Sequence, residues 1–412
     1  MKNPLTQSLI STASLLAFAS VVAAQNSQPA EQSGSSLSDV LKNARYEFGR
    51  GLTFTSADGE NSMTVGGQIQ AGYSWSEDND GNTDGSDFGT DARVRLGGSV
   101  WDGNVSYFVQ MNPAGGGQGN GDLIDAWVGM HVADGINLRL GQQKMRSGLS
   151  ADTSANDTDF ETVTRSGATD EFANRRATGA LLEGAVMEDR LNWHFGIANS
   201  TTAGYAASNP LKQDFNENND PVVSGLEDVI VPATGQGNDD TDMMVTAGVS
   251  FGSHAGNSES WSEGDLARSG EMQWLTGLTI TNDNGAEENY QTINVYGGLK
   301  AGNGLAGQVE YWTRDADLGD TTDSGGYVQL SYTMEKSGNM QPGFVARYTT
   351  VDWESPLGAG TADLEGTGMT LGVNAYYAAH NLKAQLQYTQ GELEGLVDDE
   401  TSSIDLLFTV VF

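Results

Sequence analysis

Residues 402–412 read SSIDLLFTVVF, with Ile404, Leu406, Phe408, Val410 and Phe412 on every second position. That period is the signature of a β-strand with one apolar face. Yet the chain carries 55 Asp and Glu against 20 Lys and Arg, a formal net charge of -35. In water, a bare apolar strand at the end of a sheet is an edge open to aggregation. It is harmless if its apolar face meets lipid and its edge is closed against another strand, because a closed barrel has no edge.

The same alternation recurs along most of the 412 residues. MTVGGQIQAGYSW, ARVRLGGSVW, NVSYFVQM, LIDAWVGMHV and INLRLGQQK come first. NRRATGALLEGAVM, LNWHFGIAN, MMVTAGVSF, MQWLTGLTIT and YQTINVYGGLK follow. LAGQVEYWTR, GYVQLSYTM, GFVARYTTV, GMTLGVNAYY, LKAQLQYTQ and SIDLLFTVVF complete sixteen segments. In INLRLGQQK, Ile136, Leu138 and Leu140 oppose Asn137, Arg139, Gly141 and Gln143; in LKAQLQY, Leu382, Ala384, Leu386 and Tyr388 oppose Lys383, Gln385 and Gln387. Most segments have the length of a tilted bilayer-crossing strand, about 9–11 residues.

Connection lengths carry further information. DG, ADG, EDR, AGN and AHN are tight, whereas 77–90, 145–172, 199–240, 315–324, 354–363 and 391–399 are long, acidic or glycine-rich. Short turns on one side and long loops on the other predict an all-β fold, a transmembrane antiparallel β-barrel of about 16 strands with periplasmic turns and outer loops. Residues 253–271 break the rule, being long where a short turn is due. They hold either an overlooked strand pair or a periplasmic insertion. Trp75, Trp101, Trp193, Trp274, Trp312, Trp353, Tyr376 and Tyr377 lie near strand ends, where aromatic girdles are expected.

Three segments are expected. Residues 1–24 combine Lys2, the apolar LLAFASVV and the small-residue VAAQ, a secretory signal cut after Ala24. Residues 25–60 are a flexible periplasmic leader, and 61–412 form the barrel. With no run of eighteen apolar residues, no spanning helix is expected. The destination is therefore the bacterial outer membrane, with lipid and lipopolysaccharide as surroundings. Acidity argues against a nucleic-acid partner, and the absence of cysteine removes disulfides and thiolate chemistry.

Four stretches together resemble the phosphate- and polyphosphate-selective porin O/P family: GLTFTSADGENSMTVGGQIQAGY, RVRLGGSVWDGNVSYFVQM, LIDAWVGM with LRLGQQK, and RRATGALLEG. The likeness runs from about residue 50 to 200 and then thins to general barrel pattern. It implies a 16-stranded homotrimeric channel passing small anions, phosphate among them, by diffusion. QKMRSG departs from the family in lacking its proline after the lysine.

Anion preference needs cations at the narrowest section. Alternation puts Arg93 and Arg95 on the lumen face of one strand and Arg139 and Arg175 on others, while Lys144 and Arg146 open the third outer loop, which in such barrels folds inward. These six form a basic ladder, or else they are lumen charges paired with Asp125 and Glu183. An anchor or adhesin with a filled lumen is the alternative function, but a lumen face rich in Gly, Ser, Thr and Gln favours an open channel.

Two other constellations remain. Asp80, Asn82, Asp84, Gly85, Ser86 and Asp91 match the ligand spacing of a calcium-binding EF-hand loop, with Asp at the last position. No helices are expected to flank it, and an acidic surface loop is the simpler reading; no other cofactor is expected. His131, His194, His254 and His380 lie on separate strands or turns, and nothing in their spacing points to an enzyme.

Overall fold

The computed structural model describes residues 43–412 except 78–82, 114–121, 154–157, 174–175, 201–242, 255, 286–288, 318–320, 355–363 and 395–398. The expected signal segment and most of the leader lie outside the described residues. The strands are β1 Ala44–Glu47, β2 Gly51–Thr55, β3 Ser62–Glu77, β4 Thr83–Val100, β5 Val105–Asn112 and β6 Asp122–Ala133. They continue as β7 Ile136–Lys144, β8 Arg176–Val186, β9 Leu191–Asn199, β10 Met243–Gly252, β11 Gln273–Asn284 and β12 Asn289–Lys300. The last six are β13 Leu305–Ala316, β14 Thr321–Thr333, β15 Gln341–Trp353, β16 Leu364–Tyr376, β17 Leu382–Glu394 and β18 Asp399–Val411. Two short helices, α1 Leu149–Asp152 and α2 Gly167–Phe172, lie between β7 and β8.

Each strand from β3 onward pairs antiparallel with the next, and β18 returns to β3, with Ile404 opposite Trp75 and Val411 opposite Gln68. Sixteen strands thus close a barrel. The apolar faces point outward: Phe408 is 52% exposed, Leu330 59% and Val373 49%, while Gln387, Gln329 and Thr409 are buried on the lumen side. Exposed apolar surface over so many strands fits lipid as the outer solvent.

Residues 44–55 depart from the expected flexible leader. They form a hairpin, β1 on β2, and β2 pairs with the lower end of β3, Leu52 opposite Val65. The cause is an open edge: β18 pairs with β3 from Glu77 to Gln68, and Ser62–Val65 would present unpaired backbone groups on that side if β2 did not take them. The tight Asp134–Gly135 turn forms as expected, with Gly135 at φ 70, a region where a side chain is strained.

Candidate functional site

What occupies the lumen decides what the barrel can pass. The described parts of the loop after β7, 145–153 and 158–173, fold inward, and polar side chains of the far wall hold their backbone. Arg347 on β15 donates to Thr162 Oγ1 at 3.0 Å and to the carbonyls of Thr164 and Arg165 at 3.0 and 2.9 Å. Lys383 on β17 donates to the Phe160 carbonyl, and Gln387 accepts from Val163 N at 2.8 Å. Glu310 on β13 accepts from the first amides of α1, Leu149 and Ser150. Ser166 caps α2, accepting from Thr169 N at 3.0 Å, and Arg314 grips the helix through Glu171 at 3.0 Å. Phe172 stacks on Trp312 with ring centroids 6.3 Å apart. Donors meet carbonyls and acceptors meet amides, so the loop keeps its backbone satisfied away from bulk water.

The irregular connection proves to be an insertion. Residues 253–272 contain no strand among those described, only a 3₁₀ turn, Ser258–Ser260, capped by Asn257. They meet the inward loop inside the barrel. Glu263 N donates to the Asp159 carbonyl at 3.0 Å, and the Glu263 carboxylate accepts from Glu161 N at 2.8 Å, Gln308 at 2.8 Å and Gln329 at 2.9 Å. Its carbonyl accepts from His380 Nε2 at 3.0 Å. Ser258 donates to Asp152 at 2.7 Å, and Lys300 lies over the Trp261 ring at 4.7 Å.

The structure divides the predicted basic residues. Arg93 and Arg95 share the lumen face of β4. Arg93 Nε donates to Asp91 at 2.8 Å, while Arg95 donates from Nη2 to the Gly67 carbonyl at 3.2 Å and leaves Nε without a partner. Arg139 and Arg146 come together and share two carboxylates. Arg139 Nη2 lies 2.8 Å from Glu183 and 2.9 Å from Glu259, and Arg146 lies 2.6 Å from Glu183 and also contacts Glu259. Lys144 is buried, donating to the Thr153 carbonyl at 3.2 Å. Arg175 lies outside the described residues; its neighbour Arg176, at the first position of β8, binds Asp125 at 3.0 Å. Pairing with Asp125 and Glu183 was the alternative reading of the ladder, and the structure shows such pairs for Arg139, Arg146 and Arg176.

Sequence reasoning missed Glu259 because charges in a connector read as solvated. The signal was the abnormal length of 253–271 together with Trp261. The aromatic girdle also needs correction. Trp312 and Tyr376 are buried on the lumen side, and Trp353 packs against the Trp312 cluster, because the inward loop offers them a dry surface. Trp101 and Tyr377 are exposed at 71% and 44%, as girdle residues would be.

The calcium-like loop does not form as such. Asp80 and Asn82 lie outside the described residues, but Asp84, Ser86 and Asp91 belong to β4, paired along β3 from Gly85 opposite Ser76 to Asp91 opposite Gln70. That pairing holds the backbone extended, spreading Asp84 to Asp91 over roughly 23 Å instead of wrapping them round one ion.

Charge in the two insertions is strongly shaped by its surroundings. Burial pushes the Glu161 carboxyl up to about 8, with Glu263 adding to the shift. Burial also raises Asp152 despite Arg146 nearby. For Glu259 burial acts in the same direction, but Arg146 and Arg139 outweigh it and hold the carboxyl below its ordinary range.

Among solved structures, this barrel is similar to a loop L8 deletion mutant of OmpT, an outer-membrane protein of Vibrio cholerae. The two are 12% identical, over 85% of this chain and 99% of that one, with a TM-score of 0.54. It is similar to the outer-membrane channel DcaP of Acinetobacter baumannii at 11% identity, over 87% and 99%, with a TM-score of 0.54. It is also similar to an anion-selective porin from Comamonas acidovorans at 12% identity, over 86% and 100%, with a TM-score of 0.51. These likenesses concern the fold. No curated protein matches the sequence. The model of the phosphate-selective porin O and P family matches residues 63–395. A closed antiparallel barrel with an apolar outer face and a polar lumen narrowed by an inward loop is the architecture of an outer-membrane channel for small solutes, and the chain belongs to the phosphate-selective porin O and P family.

Proposed function

We propose that this porin passes small hydrophilic solutes with a weak to moderate preference for anions, phosphate among them. The observation that carries the reading is Arg95. It sits on the lumen face with no carboxylate at ion-pair distance among the described residues, beside Arg93 one alternation away. The net charge of -35 points the other way, but loop carboxylates beyond about 8–10 Å are screened at physiological salt. At 4 Å a unit pair interacts by about 4 kcal/mol at an effective dielectric near 20, against about 1 kcal/mol in bulk water. An arginine at close range with no carboxylate at ion-pair distance therefore counts for more than an acid far off in a loop.

The same reading includes a homotrimer, implied by the family, together with cleavage after Ala24 and lipid and lipopolysaccharide as neighbours, which the residues of the first segment and the alternation of the strands support. Reversal potentials across a planar bilayer in a potassium chloride gradient test the selectivity, and the mass of the mature detergent-solubilised protein tests cleavage and trimer together.

A further inference from the structure

Arg139 and Arg146 converge on Glu259 from different elements, one on β7 and one at the start of the inward loop. Arg139 takes both oxygens of that carboxylate, Nη1 to Oε1 at 3.4 Å and Nη2 to Oε2 at 2.9 Å, the fork geometry by which guanidinium groups bind free carboxylates. Glu183 closes the other side, 2.8 Å from Arg139 and 2.6 Å from Arg146. Arg139 also lies over the Trp127 ring at 5.0 Å, which fixes its plane.

The two acids differ in origin. Glu183 belongs to the barrel wall on β8, as Arg139 does on β7. Glu259 arrives on the 3₁₀ turn of the 253–272 insertion, which Asn257 and Ser260 cap reciprocally. Without it, Glu183 would be the one carboxylate at ion-pair distance from both arginines among the described residues, with Asp152 acting on Arg146 from further away, so the cluster would lose much of its neutralisation. Arg139 and Glu259 keep 20% and 25% of their side-chain surface accessible, so solute can reach the cluster.

We infer that Arg139 and Arg146 form a binding site for small carboxylates, and that the chain fills it with its own Glu259. The insertion thereby sets selectivity, by cancelling cationic charge at a point where a permeating anion would otherwise pause.

This inference rests on the lumen being an anion pathway. The test is chemical rescue in planar bilayers with Glu259→Ala and Glu259→Gln, using propionate, whose carboxylate matches that of the missing side chain. Heat-modifiable migration selects folded protein. Both variants should raise the anion-to-cation permeability ratio roughly tenfold, equivalent to about 1.4 kcal/mol. In Glu259→Ala, propionate should block chloride current saturably in about the millimolar range, a site of about -4 kcal/mol. Wild type should show no such block, and Arg139→Gln with Glu259→Ala should lose it.

Folded Glu259 variants with unchanged selectivity and no saturable block would overturn the inference. If Arg93→Gln with Arg95→Gln still shifts the reversal potential, the anion reading itself stands. Conversely, a cation-preferring wild type whose Glu259→Ala variant gains the propionate block would sink the anion reading and leave the site.

Discussion

Phe412 and Gly67 exchange both of their backbone hydrogen bonds, Phe412 N donating to the Gly67 carbonyl at 2.9 Å and Gly67 N to the Phe412 carbonyl at 2.7 Å. This pair closes the cylinder at its lower rim, immediately beyond the last rung of β18. Position 67 has no room for a side chain: a Cβ there would lie 2.9 Å from the Arg93 carbonyl and 3.1 Å from the Phe412 ring.

Deleting Phe412 should therefore lower the folded, heat-modifiable fraction in outer membranes, since both hydrogen bonds of this closing pair and the ring packed over Gly67 are lost together. Gly67→Val should do the same through the clash. Both are checked by gel migration with and without boiling. Unchanged yield and mobility in the Phe412 deletion would remove its role in closure.

Arg347 should act as the main pin of the inward loop. Its guanidinium satisfies the Thr164 and Arg165 carbonyls and the Thr162 hydroxyl in a buried setting. Each buried polar group left unpaired costs about 1–3 kcal/mol. Arg347→Met should keep the barrel, whose wall pairing is untouched, but loosen the loop. The expected outcome is faster proteolysis between residues 158 and 173 and noisier single-channel current, with heat-modifiable migration retained.

A pH dependence follows from Glu161. Its carboxyl, raised to about 8 from an ordinary 4.5, holds its proton longer in the folded protein than in the unfolded chain. The folded state is then favoured most below the unfolded value. This contribution is lost progressively as pH rises from about 4.5 to about 8 and stays lost above that. The contact between the inward loop and the 253–272 insertion should weaken over that window. Amide hydrogen exchange at Glu161 and Glu263, corrected for the intrinsic pH dependence, should show falling protection, and Glu161→Gln should flatten the trend. Protection that rises with pH would contradict it.

The wall was legible because strand alternation is a local property: each of the sixteen segments read from periodicity overlaps one strand from β3 to β18. The exceptions are contacts that no local pattern encodes. Glu259 meets Arg139 across 120 residues, and a connector carries no period to announce an inward fold. Trp312 looks like a girdle residue until Phe172 is seen against it. The hairpin of Ala44–Thr55 was missed because a four-residue strand such as ARYE is too short for a period to show. Arg175 lies outside the described residues, and the ion pair described beside it is that of Arg176 with Asp125.

The central claim is that charges close to the passage, rather than the net charge of -35, set the ion preference. The most direct measurement is the reversal potential of the wild-type channel in a potassium chloride gradient near about 0.1 M, where the Debye length is about 10 Å, repeated for Arg93→Gln with Arg95→Gln. The account predicts anion preference in the wild type and a shift towards cations in the double variant. A wild-type channel that already prefers cations, with no change on neutralising both arginines, would contradict it.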